Sequence, residues 1–151
     1  MNDLQKTLLT LESYISKATI SNEKVSNATV GWHIDHSLMV INKVLSQLEK
    51  SDEKDYKSNF NLKRFVIFLK GKMPIGVAKA PEAVKPTQVF NEAETLLFIE
   101  KAKNKVEMSM QLSKNKNFKH PFFGLLNTPK TLKFLNIHTK HHIQIIENIL
   151  A

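Results

Sequence analysis

The sequence contains no cysteine. A chain without thiols forms no disulfides, holds no zinc or iron–sulfur cluster through thiolates, and has no cysteine nucleophile. Any metal that this protein binds must therefore be held by histidines and carboxylates.

Long apolar runs are missing as well. No stretch approaches the roughly 18 apolar residues of a membrane-spanning helix. The N-terminal MNDLQKTLLTLESY has a polar or charged residue every few positions, unlike a signal peptide. The sequence therefore predicts a cytoplasmic protein without a membrane partner.

Arginine is nearly absent although the chain is basic. Lysine and arginine number 22 against 14 acidic residues, giving a net charge of +8, and only Arg64 is an arginine. The excess lies between residues 101 and 141, where nine lysines accompany a single acid, Glu107. Arginine is the residue that reads guanine and binds phosphate through two parallel hydrogen bonds. We therefore interpret the lysines as a solvated surface and expect no nucleic-acid partner.

Strand-like alternation and internal repeats are also missing, whereas helical periodicity is clear. The length of 151 residues fits a single domain over residues 1–151. Apolar residues recur at spacings of three and four over four long segments and one short segment. The predicted helices cover residues 2–19, 28–50, 61–70, 88–113 and 128–150. The predicted fold class is all-α, a four-helix bundle with the short helix in the connection between the second and third long helices.

Local signals mark the ends of these helices. Ser26 and Asn27 are candidate N-caps of the second long helix, and Thr128 followed by Pro129 predicts the start of the last one. The proline-containing segment 71–87 cannot form a regular element. We expect it to be either a crossover connection or a lid over a pocket.

Histidines give the strongest functional signal. His138 and His142 occupy positions in the apolar stripe of the last helix, so both are predicted to point inward. Two rings four residues apart on one helical face can bind one divalent ion through neutral nitrogens. The alternative is a polar pair that is hydrogen-bonded within the core. His141 lies toward the flank of that face.

The second long helix offers two candidates for a third ligand, His33 and His36. His33 falls inside the apolar face and His36 at its border, so periodicity slightly favours His33. Asp35 lies on the opposite side of the helix and is interpreted as a solvated carboxylate.

His120 stands apart in a loop before the last helix. Because Pro121 follows it, we interpret His120 as structural, with Phe122 and Phe123 plugging the end of the bundle. Contact between His120 and a ligand is the alternative.

Three stretches together resemble the DinB/YfiT-like superfamily, and more narrowly its uncharacterised branch with a His-Pro-x-Phe-Gly segment before the last helix. They are Thr29-Val-Gly-Trp-His-Ile-Asp-His36, His120-Pro-Phe-Phe-Gly124 and Phe134-Leu-Asn-Ile-His-Thr-Lys-His-His142. The likeness extends over the whole chain in the order of its elements. The family often has Trp immediately before the Thr of the first stretch, whereas this chain has Ala28 there and its tryptophan at Trp32.

The resemblance implies a four-helix bundle with an up-down-down-up path, in which the second and third long helices run parallel. It also implies a metal site with one histidine from the second helix and a pair from the last. Carried across by position, the ligands are His36, His138 and His142, and this choice overrides the periodicity that favours His33.

Two function classes follow from a site of this kind. Three neutral histidines leave coordination positions open, as in catalytic metal sites. The resemblance thus implies a transferase or hydrolase acting on a small thiol or electrophilic substrate, with zinc the first expectation and nickel the alternative. The competing hypothesis is a non-catalytic binding module, metal-free or with a vestigial histidine cluster, including one that acts as a homodimer. The sequence alone leaves open whether the chain is an enzyme.

Overall fold

Five α-helices and one β-hairpin form the described part of the chain, which comprises residues 1–76, 82–87 and 89–151 of a computed structural model. The elements are α1 (Asp3–Glu12), α2 (Val30–Lys50), α3 (Leu62–Lys70), α4 (Glu92–Ser109), β1 (Asn117–His120), β2 (Gly124–Asn127) and α5 (Thr128–Leu150). Short 3₁₀ turns lie at Ile15–Lys17, Glu53–Asp55 and Glu82–Val84. The chain is mostly helical, as predicted. None of the helices in these ranges has the length and apolar character needed to cross a membrane.

The predicted helix bounds hold best for α2, α3 and α5. The first predicted helix is too long at residues 2–19, because α1 ends at Glu12 and the chain continues through a 3₁₀ turn. The helix predicted at 88–113 is also too long. Asn91 caps α4, since its side chain accepts a hydrogen bond from the Glu94 amide at 3.1 Å. Gln88, at the start of that prediction, lies outside the described residues.

Two predicted N-caps are wrong. The hydroxyl of Thr29 caps α2 by accepting from the Trp32 amide, so neither Ser26 nor Asn27 is the cap. Asn127 caps α5 by accepting from the Lys130 amide, which places Thr128 inside the helix. Both capping residues have extended backbone conformations that let the side chain fold back onto the first helical turn.

The all-α prediction is wrong in one place, the hairpin between α4 and α5. Strands β1 and β2 pair antiparallel, with Asn117 opposite Asn127 and His120 opposite Gly124. Each strand has only four residues, which is too short for alternation to stand out in the sequence. Gly124 adopts a positive φ of 70°, a conformation that favours glycine and allows the chain to re-enter β2.

The buried Arg64 side chain joins α3 to this hairpin. Only 6% of the residue is exposed, and Nη1 donates to the Phe123 carbonyl and to Oδ1 of Asn59, each at 2.9 Å. Nη2 donates to the Asn59 carbonyl. The single arginine of the chain thus donates hydrogen bonds to main-chain and amide oxygens inside the fold.

Replacing Arg64 by methionine is expected to lower the free energy of unfolding by about 2–3 kcal/mol, because buried oxygens lose a charged donor. Urea unfolding followed by circular dichroism measures this loss. The matched control is Lys63→Met on the exposed side of α3, with an expected change within about 0.5 kcal/mol. Equal stability of the two variants would contradict the role given to Arg64.

Helices α2 and α4 flank the long connection and run in the same direction. Thr95 near the start of α4 donates to Oδ1 of Asp35 at 2.7 Å. Further along both helices, Lys105 donates to Ser46. The residues in contact thus follow the same order along both helices. This order is expected for the parallel pair that the resemblance implies.

Helices α1 and α5 also run in the same direction. Thr7 donates to Oδ1 of Asn136 at 2.7 Å, and Tyr14 donates to Glu147 at 3.2 Å. Between these four helices lies one core of aliphatic side chains. Its largest fully buried members include Leu8, Leu11, Ile34, Leu38, Ile41, Leu48, Ile99, Leu135 and Ile146.

Candidate metal centre

Three histidines from α2 and α5 converge at one point of the core. The ring centroid of His36 lies 5.2 Å from that of His138 and 4.6 Å from that of His142. The two α5 rings are 4.7 Å apart. One ring nitrogen of each residue lies within 4.8 Å of the other two. Within the described ranges, this group of histidines and no other set has the geometry to hold a metal ion.

The convergence follows from how the two helices cross. Both α2 histidines face the core, with His33 exposed by 4% and His36 by 2%. His33 lies against His142, while His36, one turn further along α2, also reaches His138. The contacts thus run in opposite directions along α2 and α5, so the two helices are antiparallel. Periodicity slightly favoured His33, but the structure brings His36 together with the α5 pair.

The Val84 carbonyl fixes the tautomer of His36. Nδ1 of His36 lies 2.7 Å from this oxygen. A carbonyl only accepts, so Nδ1 carries the proton and Nε2 keeps its lone pair. Many metal-ligating histidines donate their second ring nitrogen to a carbonyl or carboxylate in this way. His36 is therefore prepared to bind a metal through Nε2.

His138 carries an unsatisfied nitrogen. Its Nδ1 atom is buried and has no hydrogen-bond partner among the described residues. A buried nitrogen without a partner is costly, and a metal ion or an ordered water bound at this nitrogen would relieve that cost. The donor set of the cluster thus fits a divalent metal.

Burial keeps the cluster neutral. Desolvation lowers the pKa of His138 and of His142 well below the ordinary value of 6.5, and neighbouring histidines lower both further. Burial also lowers the pKa of His36, although the hydrogen bond to Val84 partly offsets this effect. The pKa of His33 is lowered to about 4, again mainly by burial. Neutral imidazoles near pH 7 are the form that binds metal.

The predicted crossover or lid, residues 71–87, includes residues 77–81, which lie outside the described part. Its described portions lie next to the histidines. The Val84 carbonyl contacts His36, Lys43 donates to the Ala83 carbonyl, and a hydrogen bond to the main chain of Met73 raises the pKa of His141 against the larger lowering effect of burial.

Trp32 packs against one side of the histidine cluster. Its ring stacks on His36 with the centroids 5.0 Å apart and an angle of 7° between the planes. The tryptophan that departs from the family pattern in the sequence thus contacts a candidate ligand directly. This stacking limits the rotation of the His36 ring.

Asp35 is not the solvated carboxylate that the sequence predicted. It accepts a hydrogen bond from Thr95 on α4, and partial burial raises its pKa despite that bond. The helical wheel missed this contact because α4 packs on a second side of α2. The carboxylate belongs to the α2–α4 interface.

His120 has a local role in the hairpin turn. Its Nδ1 accepts from the amides of Phe122 and Phe123 at 3.1 and 3.2 Å, and its ring stacks on Phe123 at 4.5 Å. Burial lowers its pKa to about 4. Phe123 is buried as predicted, but Phe122 is 58% exposed and does not plug the bundle.

The sequence did not reveal two neighbours of the cluster. Val84 acts through a main-chain carbonyl, so its residue type carries no signal. Ser26 was interpreted as a helix cap, yet its hydroxyl lies 3.1 Å from Nε2 of His33. Its place seven residues before an inward-facing histidine was the only available hint.

Comparison with known proteins identifies no relative. The chain matches no protein-family model, no curated protein and no solved structure.

Proposed function

We propose that this chain is a divalent-metal-dependent enzyme of the DinB/YfiT-like type, a transferase or hydrolase that acts on a small thiol or electrophilic substrate. The observation that carries the proposal is the convergence of His36, His138 and His142, one ring nitrogen of each lying within 4.8 Å of the others. Zinc is the expected ion and nickel the alternative, since both accept imidazole ligands.

The arrangement of the helices supports the family part of the proposal. Helices α1 and α5 share one direction, α2 and α4 share one direction, and α2 opposes α5. These three relations are those of an up-down-down-up four-helix bundle. The hairpin and α3 are additions to that bundle.

The number of donors supports an open site. In the described part of the chain, the candidate group contains three histidines and no carboxylate, whereas structural zinc sites have four protein ligands. An ion held by His36, His138 and His142 would supply Lewis-acid activation of a thiol or water. The chain's own residues orient the ligands: Val84 holds His36 through Nδ1, and Trp32 stacks on its ring.

Metal analysis tests the first part of this proposal. Protein purified without a histidine tag is expected to contain, or to take up, one zinc or nickel ion per chain. Elemental analysis and titration against a chromophoric chelator measure this stoichiometry. A chain that binds no divalent ion would overturn the metal part of the proposal.

An activity assay tests the second part. The metal-loaded chain is expected to accelerate the reaction of small thiols with electrophilic compounds or the hydrolysis of such compounds. The His138→Ala variant is expected to lose this acceleration. A metal-loaded chain that is inactive on a broad panel of these substrates would favour the binding-module hypothesis.

A second candidate function, a binding module that acts as a homodimer, is favoured by the outer face of α3. Leu62, Phe65, Val66 and Leu69 form a stripe on this helix and are 37–76% exposed. Exposed apolar stripes of this kind mark interaction surfaces. The lysines beside the stripe would have to lie at the rim of such an interface.

If this stripe forms a dimer, the Leu69→Lys variant is expected to become monomeric. Light scattering coupled to size-exclusion chromatography measures the mass. The matched control is Leu97→Lys on α4, since Leu97 is 73% and Leu69 is 76% exposed. A wild-type chain that is monomeric at high concentration would exclude this second function.

A further inference from the structure

A chain of hydrogen bonds extends from the histidine cluster to the segment before α2. Nδ1 of His142 lies 3.0 Å from Nδ1 of His33, and Nε2 of His33 lies 3.1 Å from Oγ of Ser26. The Ala28 amide donates to the same Oγ at 3.1 Å. His33 and His142 are only 4% and 7% exposed, so the hydrogen bond between these two rings is shielded from bulk water.

Both ring nitrogens of His33 are therefore occupied. Nδ1 faces His142 and Nε2 faces Ser26. A nitrogen that takes part in such a hydrogen bond is not free to bind a metal. This explains why His33 points into the core beside the cluster without being one of the three candidate ligands.

Only two proton arrangements satisfy this chain, because a neutral imidazole carries one proton. In the first, Nδ1 of His142 donates to Nδ1 of His33, and Nε2 of His33 donates to Ser26. In the second, the Ser26 hydroxyl donates to Nε2 of His33, Nδ1 of His33 donates to His142, and the proton of His142 is on Nε2.

The two arrangements differ in what His142 offers to the cluster. In the first, Nε2 of His142 has a free lone pair. In the second, Nε2 carries a proton and cannot bind a metal. Because Nδ1 of His142 is engaged with His33 in both, metal binding requires the first arrangement.

We propose that His33 and Ser26 are positioning residues that hold His142 in the tautomer that binds metal through Nε2. The proposal rests on the metal site proposed above. His33 supplies the acceptor for Nδ1 of His142, the role that a carbonyl or carboxylate plays in many metal sites. Ser26 Oγ in turn accepts a hydrogen bond from the protonated Nε2 of His33, and this leaves Nδ1 of His33 as an acceptor.

Zinc affinity of His33 variants tests this role. The His33→Leu variant has no acceptor and is expected to bind zinc about 10–100-fold more weakly than the wild type. The His33→Gln variant offers a carboxamide oxygen to Nδ1 of His142, so its affinity is expected to recover to within about fivefold of the wild type. Titration against a chromophoric chelator measures these affinities, and circular dichroism verifies folding.

Ser26 has a matched control in Ser37. Ser26 is half-buried and Ser37 is buried, and the Ser37 hydroxyl donates to the main-chain carbonyl of His33 at 2.8 Å, not to its ring. The Ser26→Ala variant is expected to weaken zinc binding several-fold, whereas Ser37→Ala is expected to leave the affinity unchanged.

Nitrogen-15 NMR of the imidazole rings reads the tautomer directly. In the zinc-loaded wild type, we expect a proton on Nδ1 of His142 and on Nε2 of His33. A proton on Nδ1 of His33 would overturn the proposal even if the Leu variant does not fold.

The affinity results distinguish failure of the positioning role from failure of the metal site. Zinc binding by the wild type together with unchanged affinity of His33→Leu would overturn the positioning role and leave the metal site intact. Weak binding by both the Leu and the Gln variants would also overturn it, because an acceptor alone would then not suffice. If the wild type binds no zinc, the metal site itself fails and the positioning role fails with it.

Discussion

Replacing His142 by alanine is expected to abolish zinc binding, with an affinity loss of more than about 100-fold. The substitution removes one of three candidate ligands, which should exceed the roughly 10–100-fold loss typical of residues behind the ligands. It also leaves Nδ1 of His33 without its partner. Chelator competition measures the affinity, and urea unfolding of the metal-free protein shows how much stability the cavity costs.

The control for this experiment is His141→Ala. His141 is adjacent to His142 in the sequence, and the centroids of the two rings are 5.2 Å apart. His141 is not part of the three-histidine group. Its substitution is expected to change zinc affinity by no more than about threefold, below the roughly 10–100-fold loss typical of residues that hydrogen-bond to the ligands. If both variants bind zinc like the wild type, the histidines form a polar core and the binding-module hypothesis is favoured.

The metal-free protein is expected to lose stability as the pH falls from about 6.5 to about 4. The pKa of both His33 and His120 is lowered from 6.5 to about 4, mainly by burial. Between these values the unfolded chain binds protons that the folded chain does not, so acid favours unfolding. Each such histidine contributes up to about 1.4 kcal/mol per pH unit. Above about 6.5 both states are neutral and stability is flat with respect to these groups.

Urea unfolding at several pH values in the presence of a chelator measures this slope. The His120→Phe variant is a useful comparison because the substitution removes one buried titrating group. Its ring replaces the imidazole among the aromatic side chains that surround His120. Its stability is expected to fall less steeply with acid than that of the wild type. A free energy of unfolding that stays constant between pH 7 and pH 5 would contradict the burial of these rings.

The same lowering of pKa changes the expected pH dependence of metal binding. The unperturbed imidazole value places proton competition near pH 6.5. Since the pKa values of His36, His138 and His142 are all lowered, zinc affinity in the folded protein should hold to a lower pH. The pH at which the protein releases zinc is then expected to lie close to the pH at which it unfolds.

Periodicity predicted the five helices, although not the ends of α1 and α4, and it predicted the inward direction of the α5 histidines. In the predicted stripe of α5, Leu135, His142, Ile145 and Ile149 are buried and His138 is half-buried. The same reasoning slightly favoured His33 over His36, although both face the core and the three-histidine group contains His36. A helical wheel gives the face of a residue, whereas the crossing of α2 and α5 decides which partner that residue meets.

Contacts made by the main chain or across long sequence separations were not predictable. The Val84 carbonyl and His36 are in contact although 48 positions separate them in the sequence, and Thr95 and Asp35 are separated by 60 positions. The hairpin was missed because its strands are four residues long, and Pro121 and Gly124 do not by themselves identify a hairpin turn. The two contacts depend on how the long connection and α4 pack against α2, which local patterns do not encode.

The most direct test of the metal site is an anomalous difference map at the zinc absorption edge, from crystals of the zinc-loaded chain. We predict one strong peak about 2.0–2.1 Å from a ring nitrogen of each of His36, His138 and His142. Nδ1 of His36 should still donate to Val84 in those crystals. A map at saturating zinc with no peak between α2 and α5, or with zinc only at the protein surface, would contradict the proposed site.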